Sequence, residues 1–386
     1  YKSYMGTDVS DLVVEYAAQQ IEQKKFRRFY VQWFGGEPML NTPCIEYLSE
    51  KLVRLCGDQG VKYSASMISN GTCWPTHQSE IIDFTQRNHI TSVQFTLDGL
   101  PPNHNKRRHY VRGYQEVSSF DALSRTISAL VGHVALRLCI HCDPGNIKDV
   151  YALVDLLVER GWLYPGSGVF PYAAQIAPIS ESCDFLHKHK VSDAEFNSLS
   201  NEFRRYVARF VDPVEYAAII FPESKKVLCS AVSENNIMVG PDGYVYKCSG
   251  EMGAHEKSHG HIRDLISREL SASPFRILPS ANAYGSCAND YAGFDVFSQP
   301  TCSQCKYLPL CMGGCPKQQL EKYRLNENQE NIDGFRQYWD ESLQSLVVSY
   351  ANLVLRNGTR DSEEAAESFY EYLQRPWQPT THAQAS

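Results

Sequence analysis

The sequence predicts an α/β protein, and two observations carry this prediction. The first 175 residues alternate strand patterns with helix patterns, which is typical of βαβ units and a parallel sheet. Seven of the thirteen cysteines lie between residues 229 and 315, where glycine and proline are dense and large aliphatic side chains are few. We therefore expect a partial barrel or open sheet in the first half. A cysteine-rich domain should follow, held together by something other than a hydrophobic core.

Five short runs of β-branched and aromatic residues, each bounded by turn residues, are the predicted strands. They span residues 29–34, 62–68, 92–97, 135–141 and 168–173. The helices between them are predicted from their start signals. These signals are Asp8 as a cap, Thr42 with Pro43 for a helix ending at Gly57, the run 76–87, Ser118 or Ser119 for a helix to Val131, and Asn146 as the cap of 147–160.

The second half is less regular. Ser192 and Glu195 form a capping box, which predicts a bridging helix to about Phe210. The turn residues 240–243 predict a hairpin over 236–247, and amphipathic patterns predict helices over 334–356 and 362–373. We expect domains at 1–190 for the α/β core, 191–225 for the bridging helix, 226–333 for the cysteine-rich part and 334–386 for the C-terminal helices.

Charge and hydropathy exclude two classes of partner. The net charge is −7, so no basic field attracts nucleic acid. No apolar run approaches the ~20 residues that a membrane helix needs, and no signal peptide leads the chain. We expect a cytoplasmic protein that binds neither nucleic acid nor a membrane. Because the chain starts at Tyr1 without an initiator Met, we expect the natural protein to extend upstream.

Polar and glycine residues follow the predicted strands. They are Gly35-Gly36-Glu37, Ser69-Asn70-Gly71, Asp98-Gly99 and the run 141–143. Ligands of α/β sheets and barrels bind at the carboxyl ends of the strands. These residues therefore predict a ligand site at that end.

The cysteines fall into two groups. Six are scattered and are expected to be reduced core thiols: Cys44, Cys56, Cys73, Cys139, Cys142 and Cys183. The others have a regular spacing, C-x13-G-x4-C over 229–248 and C-x2-C-x5-C-x3-C over 302–315. A disulfide framework usually serves chains too small to bury a core, so metal or iron–sulfur ligation is favoured over it. Zinc is an alternative because of the C-x2-C pair, but the x5 and x3 spacings favour an iron–sulfur cluster.

Together these motifs resemble radical S-adenosylmethionine (SAM) enzymes that carry a C-terminal SPASM domain. The cysteine spacing is similar to the SPASM pattern. The strand-end motifs are similar to those of the radical SAM core, namely Gly35-Gly36-Glu37-Pro38, Ser69-Asn70-Gly71, Asp98-Gly99 followed by His104 and Arg107 or Arg108, and 137–141 followed by Asn146. The resemblance covers nearly the whole chain. It implies a partial (β/α)6 TIM-type barrel, an α+β SPASM domain and a helical tail.

The resemblance also implies a SAM site. Its residues would be Gly35, Gly36, Glu37, Pro38, Ser69, Asn70, Asp98 and Arg137. Glu37 can supply an anion for the SAM ammonium, and Arg137 can supply a donor for the SAM carboxylate. Apart from the resemblance, Glu37 fits equally well as a solvated loop carboxylate, and Arg137 as an arginine on the outside of a barrel.

For the cysteine-rich part, the resemblance implies up to two auxiliary [4Fe-4S] clusters. Their ligands would be Cys229, Cys248, Cys287, Cys302, Cys305, Cys311 and Cys315. The family's last cysteine is missing, and Asp333 either replaces it or caps the helix that follows. The C-x3-C-x2-C motif of the SAM-cleaving [4Fe-4S] cluster is also absent, so we expect it upstream of Tyr1; a degenerate core is the alternative.

The function that the resemblance implies is oxidation of a ribosomally made peptide, such as cross-link formation, through a 5′-deoxyadenosyl radical. The implied partners are a precursor peptide or protein substrate and a reductant such as flavodoxin or ferredoxin. One alternative is an anaerobic sulfatase-maturating enzyme that forms formylglycine, although Ser249 follows Cys248 where that group has Asp. Another is a non-catalytic peptide-binding scaffold. Glu251 and Asp98 are the candidate catalytic residues.

Overall fold

The computed structural model describes most of the first 266 residues and parts of the remainder. The described residues are 4–108, 117–176, 188–211, 216, 229–233, 235–266, 291, 294–298, 300–317, 319, 338–340, 342–344, 346–348 and 351. The predictions made for Cys183, Cys287, Asp333 and the helix 362–373 lie outside these residues. The described residues between 338 and 351 are helical, as predicted for 334–356.

The core of the described chain is a five-stranded parallel sheet with strands in chain order, β1-β2-β3-β4-β5. The strands are β1 Arg28–Trp33, β2 Lys62–Ser69, β3 Ile90–Thr96, β4 Ala135–Cys142 and β5 Val169–Gln175. All five predicted strands are present, and the predicted α/β class with a partial barrel is confirmed.

In the described part of residues 4–211, seven α-helices accompany the sheet. They are α1 Thr7–Lys24, α2 Thr42–Asp58, α3 Gln78–Arg87, α4 Pro101–Arg107, α5 Ser119–Leu130, α6 Val150–Glu159 and α7 Asp193–Val207. Two predicted caps are confirmed. The hydroxyl of Ser118 accepts a hydrogen bond from the amide of Asp121 at the start of α5, and the hydroxyl of Ser192 accepts one from the amide of Glu195 at the start of α7.

Other helix starts differ from the prediction. Gly6 is the N-cap of α1, so Asp8 lies in the first turn, where a negative charge still suits the helix dipole. Asn41, not Thr42, is the N-cap of α2, because a 3-10 turn over Pro38–Asn41 leads directly into that helix. The helix ends at Asp58, one residue later than predicted.

One prediction near the strand ends is wrong, and one helix there was not predicted. Asn146 does not cap an α-helix, because the 3-10 turn Ile147–Asp149 comes first and the Asn146 side chain is bonded elsewhere. Helix α4 was not predicted, because its sequence, PPNHNKR, has no apolar periodicity. It is held by tertiary burial of His104, which is fully buried.

The two faces of the sheet differ in chemistry. One face is apolar and fully buried, with Val93 and Phe95 beside Leu136 and Leu138 in one core cluster with residues of α2, α3, α5 and α6. We call the opposite side the open face. In register and alternation it carries Tyr30, Gln32, Ser66, Gln94, Arg137, Cys139, His141 and Tyr172. A parallel sheet is usually apolar on both faces, so this polar face is suited to a ligand.

The cysteine-rich part begins with the predicted hairpin, formed by β6 Met238–Val239 and β7 Val245–Tyr246. A short helix, Ile262–Ile266, follows it. Val245 and Leu265 form a second small core with Tyr16 of α1. Within the described residues, no helix has the length and hydropathy needed to cross a membrane.

Two glycines with the same backbone angle test how tightly the core is packed. Gly71 and Gly132 both have φ +77, but a Cβ on Gly71 would lie 2.3 Å from Leu123 Cδ1, whereas a Cβ on Gly132 would meet nothing within 4 Å. A left-handed alanine costs about 1–2 kcal/mol, so we expect Gly132→Ala to lower the free energy of unfolding by that amount. Gly71→Ala should lose a further ~1–3 kcal/mol through overpacking. Urea unfolding measures both, and equal losses would contradict the packing described here.

Candidate functional site

The ends of β1 and β2 are joined by the carboxylate of Glu37. Its Oε1 accepts hydrogen bonds from the Met39 amide at 3.0 Å and from Ser69 Oγ at 2.8 Å, and its Oε2 accepts one from the Asn70 amide at 2.7 Å. The bond to Met39 caps the turn over Pro38–Asn41. The structure thus brings together Glu37, Pro38, Ser69 and Asn70, as the strand-end pattern predicts.

Glu37 is only partly available to a ligand. Burial raises the pKa of Glu37, while the three hydrogen bonds from its own chain oppose that rise. A carboxylate accepts about four hydrogen bonds, so the contacts among the described residues leave one position on Glu37 open. The carboxylate therefore organises the two strand ends first, and has room for a single further donor.

The backbone before Glu37 leaves space beside it. A Cβ built on Gly35 or on Gly36 would meet nothing within 4 Å, and both residues are exposed. Gly36 does not have a positive φ, so the chain's own packing gives no reason for a glycine there. A group that lies directly against this backbone would give one. The open space next to a single free carboxylate position fits the amino-acid end of SAM.

The ends of β3 and β4 are joined by the carboxylate of Asp98. Its Oδ2 accepts a hydrogen bond from Arg108 Nε at 2.6 Å, and its Oδ1 lies 3.1 Å from His141 Nδ1. The amide of Asp98 donates to Nδ1 of His104 at 3.3 Å. Arg108, whose pairing the sequence left open against Arg107, is therefore the partner of Asp98, whereas Arg107 pairs with Asp143 at 2.6 Å.

These contacts fix three protonation states at neutral pH. Burial would raise the pKa of Asp98, but the hydrogen bonds from His141 and Arg108 outweigh it and hold that pKa at about 2. The bond to Asp98, assisted by Cys139, raises the pKa of His141 to about 9 against the effect of burial. Burial lowers the pKa of His104 to about 4. Asp98 is thus an anion, His141 an imidazolium and His104 a neutral ring.

Asn146 is a site residue whose role the sequence did not reveal. Its side-chain amide donates to the Asp98 carbonyl at 3.1 Å and to the His141 carbonyl at 2.7 Å, and its Oδ1 accepts from the Asp143 amide at 2.9 Å. An Asn before a helix is ordinarily read as a cap, which is why the pattern was misleading. In the structure, Asn146 cross-links the loops that follow β3 and β4.

Arg137 lies on the open face of β4, beside Gln94 of β3 and Phe170 of β5. It is exposed. Among the described residues no hydrogen bond or ion pair to its guanidinium is found, so its donors are available to an anion. Arg137 is therefore not on the apolar face that packs against helices, where a ligand over the strand ends could not reach it.

The predicted cluster ligands form two neighbourhoods. Burial and the nearby charges of Cys311 and Cys305 raise the pKa of Cys302. Burial raises the pKa of Cys248, with smaller effects that include Cys315. None of the eleven described cysteines forms a disulfide.

The backbone after Cys311 is unusual. Met312, Gly313 and Gly314 all have positive φ, at 50, 83 and 76, and such a run lets a chain wrap closely around a bound group. In the part of the chain that the structure describes, no three His, Cys, Asp or Glu side chains converge closely enough to hold a metal ion as they stand. The thiol donors suit an iron–sulfur cluster in kind, and one predicted ligand, Cys287, lies outside the described residues.

The remaining candidates lie in the cysteine-rich part. Glu251 is buried and accepts a hydrogen bond from the Tyr291 hydroxyl at 3.0 Å. Cys229 precedes the 3-10 turn Ser230–Val232 and is half-buried. A separate cavity opens at the opposite ends of β3, β4 and β5, where His89 and His133 are among its lining residues. It is not formed by any predicted site residue.

Solved structures share this fold, although no family model matches the chain and no curated protein matches it significantly in sequence. Native anSMEcpe with bound AdoMet and Kp18Cys peptide aligns over 90% of this chain and 91% of its own, with a TM-score of 0.60 and 16% identity. Native anSMEcpe with bound AdoMet aligns over 92% and 93%, with a TM-score of 0.57 and 16% identity. The chain therefore has the fold of these structures along nearly its whole length.

The Asp98–His141 pair makes a prediction about pH. The raised pKa of His141 contributes stability that is complete below pH 6.5 and is lost as the pH rises through about 9. The lowered pKa of Asp98 contributes stability that is present above pH 3.8 and is lost as the pH falls toward about 2. We expect an NMR titration to place His141 near 9, and to place it below 7 in Asp98→Asn. Asp143→Asn, which removes the neighbouring carboxylate, should leave His141 near 9; an equal drop in both variants would contradict the pairing.

Proposed function

We propose that this chain is the SAM-binding core and the auxiliary-cluster domain of a radical SAM maturase that oxidatively modifies a ribosomally made peptide, forming a cross-link between side chains. The observation that carries the proposal is the convergence of Gly35, Gly36 and Glu37 with Ser69 and Asn70 at the strand ends, above an open polar face. The fold supports it, because anSMEcpe structures of this fold contain AdoMet and a peptide.

The proposed SAM site uses this chain's groups in distinct ways. Gly35, Gly36 and Pro38 present bare backbone to the ligand, and the free position on Glu37 receives the ammonium. The exposed guanidinium of Arg137 binds the SAM carboxylate, because its planar pair of N–H donors matches the two oxygens of a carboxylate. Bound SAM, after reductive cleavage, would supply the radical that abstracts a hydrogen atom from the peptide.

Ser69, Asn70 and Asp98 act as supports in this proposal. Ser69 holds Glu37 and is itself held by Trp74, whose indole N–H donates to its hydroxyl at 2.9 Å. With a pKa of about 2, Asp98 is a weak base at neutral pH. Its part in the site is to fix His141 and Arg108, whatever further contact it makes with a ligand.

The proposed auxiliary clusters occupy the two cysteine neighbourhoods. Cys229, Cys248, Cys287 and Cys315 hold one cluster, and Cys302, Cys305 and Cys311 hold the other, with Asp333 as a candidate fourth ligand. Bound there, the clusters would supply one-electron redox chemistry. The reductant in this proposal would be a flavodoxin or a ferredoxin.

Formylglycine formation is the second candidate, and one observation favours it. Glu251 is buried against the Tyr291 hydroxyl, and Tyr291 also bonds Cys248. A carboxyl group near Cys248 resembles the arrangement expected of the sulfatase-maturating enzymes, a group that includes anSMEcpe. The product separates the two functions, because a formylglycine aldehyde reacts with a hydrazide probe and a carbon-linked side-chain cross-link does not.

The SAM site is tested by a pair of glycine substitutions. Neither Gly36→Ala nor Gly57→Ala introduces a contact within 4 Å inside the chain, so neither should lower the unfolding midpoint in urea. Gly57→Ala should raise it slightly, because alanine favours a helix over glycine by up to about 1 kcal/mol. If SAM lies against the backbone of residue 36, Gly36→Ala should weaken SAM binding at least tenfold, or about 1.4 kcal/mol. Gly57→Ala, in α2, should bind as the parent does.

Equilibrium dialysis with radiolabelled SAM is the measurement, on the anaerobically reconstituted protein. Full SAM affinity in Gly36→Ala would contradict the placement of SAM against the backbone of residue 36. Loss of affinity in both variants would mean that the effect is not local.

A further inference from the structure

Three side chains at the open face form a connected line, in which the proposed SAM site uses Asp98 and His141 only as supports and does not use Cys139. Cys139 Sγ lies 3.7 Å from His141 Nε2, and the other ring nitrogen of His141 lies 3.1 Å from Asp98 Oδ1. Cys139 and His141 are two residues apart on β4, so they point to the same side of the sheet. The far oxygen of Asp98 is held by Arg108 at 2.6 Å.

This order of groups is that of an activated nucleophile. A thiol, a ring nitrogen within reach of it and a carboxylate that orients the ring are the three parts of a Cys–His–Asp arrangement. With Asp98 accepting from Nδ1, the Nε2–H of the imidazolium is directed at the sulfur and stabilises negative charge on it. We propose that Cys139 is a nucleophile, activated by its contact with His141, that adds to α,β-unsaturated carbonyl groups reaching the open face.

The charged and titratable groups around the sulfur come from four elements. They are Arg137 and His141 on β4, Asp98 after β3, His104 and Arg108 at α4, and Tyr172 on β5. The cationic groups near the sulfur are His141 and, farther along the strand, Arg137. Asp98 is already neutralised by Arg108, so the positive charge of His141 remains effective toward Cys139.

The addition balances without an outside oxidant or reductant. The thiolate sulfur forms a bond to the β-carbon of the acceptor, and the electrons of the carbon–carbon double bond shift toward the carbonyl. The α-carbon of the resulting enolate takes the Nε2 proton of His141. The products are a thioether and a neutral imidazole, which regains a proton from solvent.

Disulfide exchange fits the site less well, because it needs a second thiol. Cys142, three residues along, is fully buried on the other face of β4, and its thiol donates to the Ile140 carbonyl at 3.4 Å. It cannot reach Cys139 across the strand. Addition to an α,β-unsaturated carbonyl group needs only one sulfur and one proton, which Cys139 and His141 supply.

If exposure alone set reactivity, Cys73 would react faster than Cys139, whereas the proposal predicts that Cys139 reacts faster. Cys139 is 4% exposed, under the half-exposed ring of Tyr172, while Cys73 is half-buried and its pKa is raised by burial. Acrylamide, an α,β-unsaturated amide, is the probe, and mass spectrometry of the tryptic peptides gives the rate at each cysteine of the intact chain.

At pH 7 we expect Cys139 to react at least about tenfold faster than Cys73, because the neighbouring His141 ring activates the sulfur and supplies the proton for the enolate. His141→Gln should remove that advantage and leave the rate at Cys73 unchanged. The difference should also vanish in urea, where both thiols are free. A Cys139 rate equal to or below that of Cys73 at pH 7 would overturn the proposal, as would a folded His141→Gln protein with an undiminished Cys139 rate.

If His141→Gln does not fold, the pH profile of the parent protein decides. The ratio of the Cys139 rate to the Cys73 rate should be highest between pH 6 and 8, and should fall as the pH passes about 9, where His141 loses its proton. A ratio that is flat from pH 6 to 10 would overturn the proposal. The result does not depend on SAM, so it stands or falls separately from the proposed function.

Discussion

The carboxylate of Asp98 is the constraint on which the strand ends depend. It is 4% exposed and stays ionised, and a buried charge that loses one partner costs about 3–5 kcal/mol. Arg108 and His141 must therefore stay in place, which ties the end of α4 to the ends of β3 and β4. Glu37 does the same for β1 and β2 through three hydrogen bonds. Two carboxylates thus fasten four loops that would otherwise be free to move apart.

The fixed positions of these loops matter because the open face is more exposed than the apolar face. The apolar face is packed against helices, whereas Tyr30 and Tyr172 on the open face are 59% and 37% exposed. On this face Asp98 holds His141, and the Tyr30 hydroxyl donates a hydrogen bond to Ser66. The exposed Arg137 and the Cys139–His141 pair lie on this open face, and Gly36 lies in the loop after β1. The proposed SAM site and the proposed nucleophile therefore belong to one sheet and its strand ends.

Much of this arrangement could be predicted from the sequence, for identifiable reasons. The strands alternate with helices and end at glycine and polar residues, so both their number and the convergence of Glu37 with Ser69 followed from local pattern. Helix α4 could not be predicted, because burial of His104 stabilises it and its sequence has no helical period. Asn146 was misread, because capping and cross-linking asparagines look alike in a sequence. The contact of Cys139 with His141 requires a distance, which spacing alone does not supply.

In the proposed function, SAM binds at the carboxyl ends of the strands, between the loops that Glu37 joins. Amide hydrogen exchange of the anaerobically reconstituted protein, with and without SAM, tests this placement. We expect slower exchange in residues 34–41 and 69–73 when SAM is added, and no change around His89 and His133 at the opposite ends of the strands. Unchanged exchange over 34–41 and 69–73, or protection confined to the cavity beside His89 and His133, would contradict it.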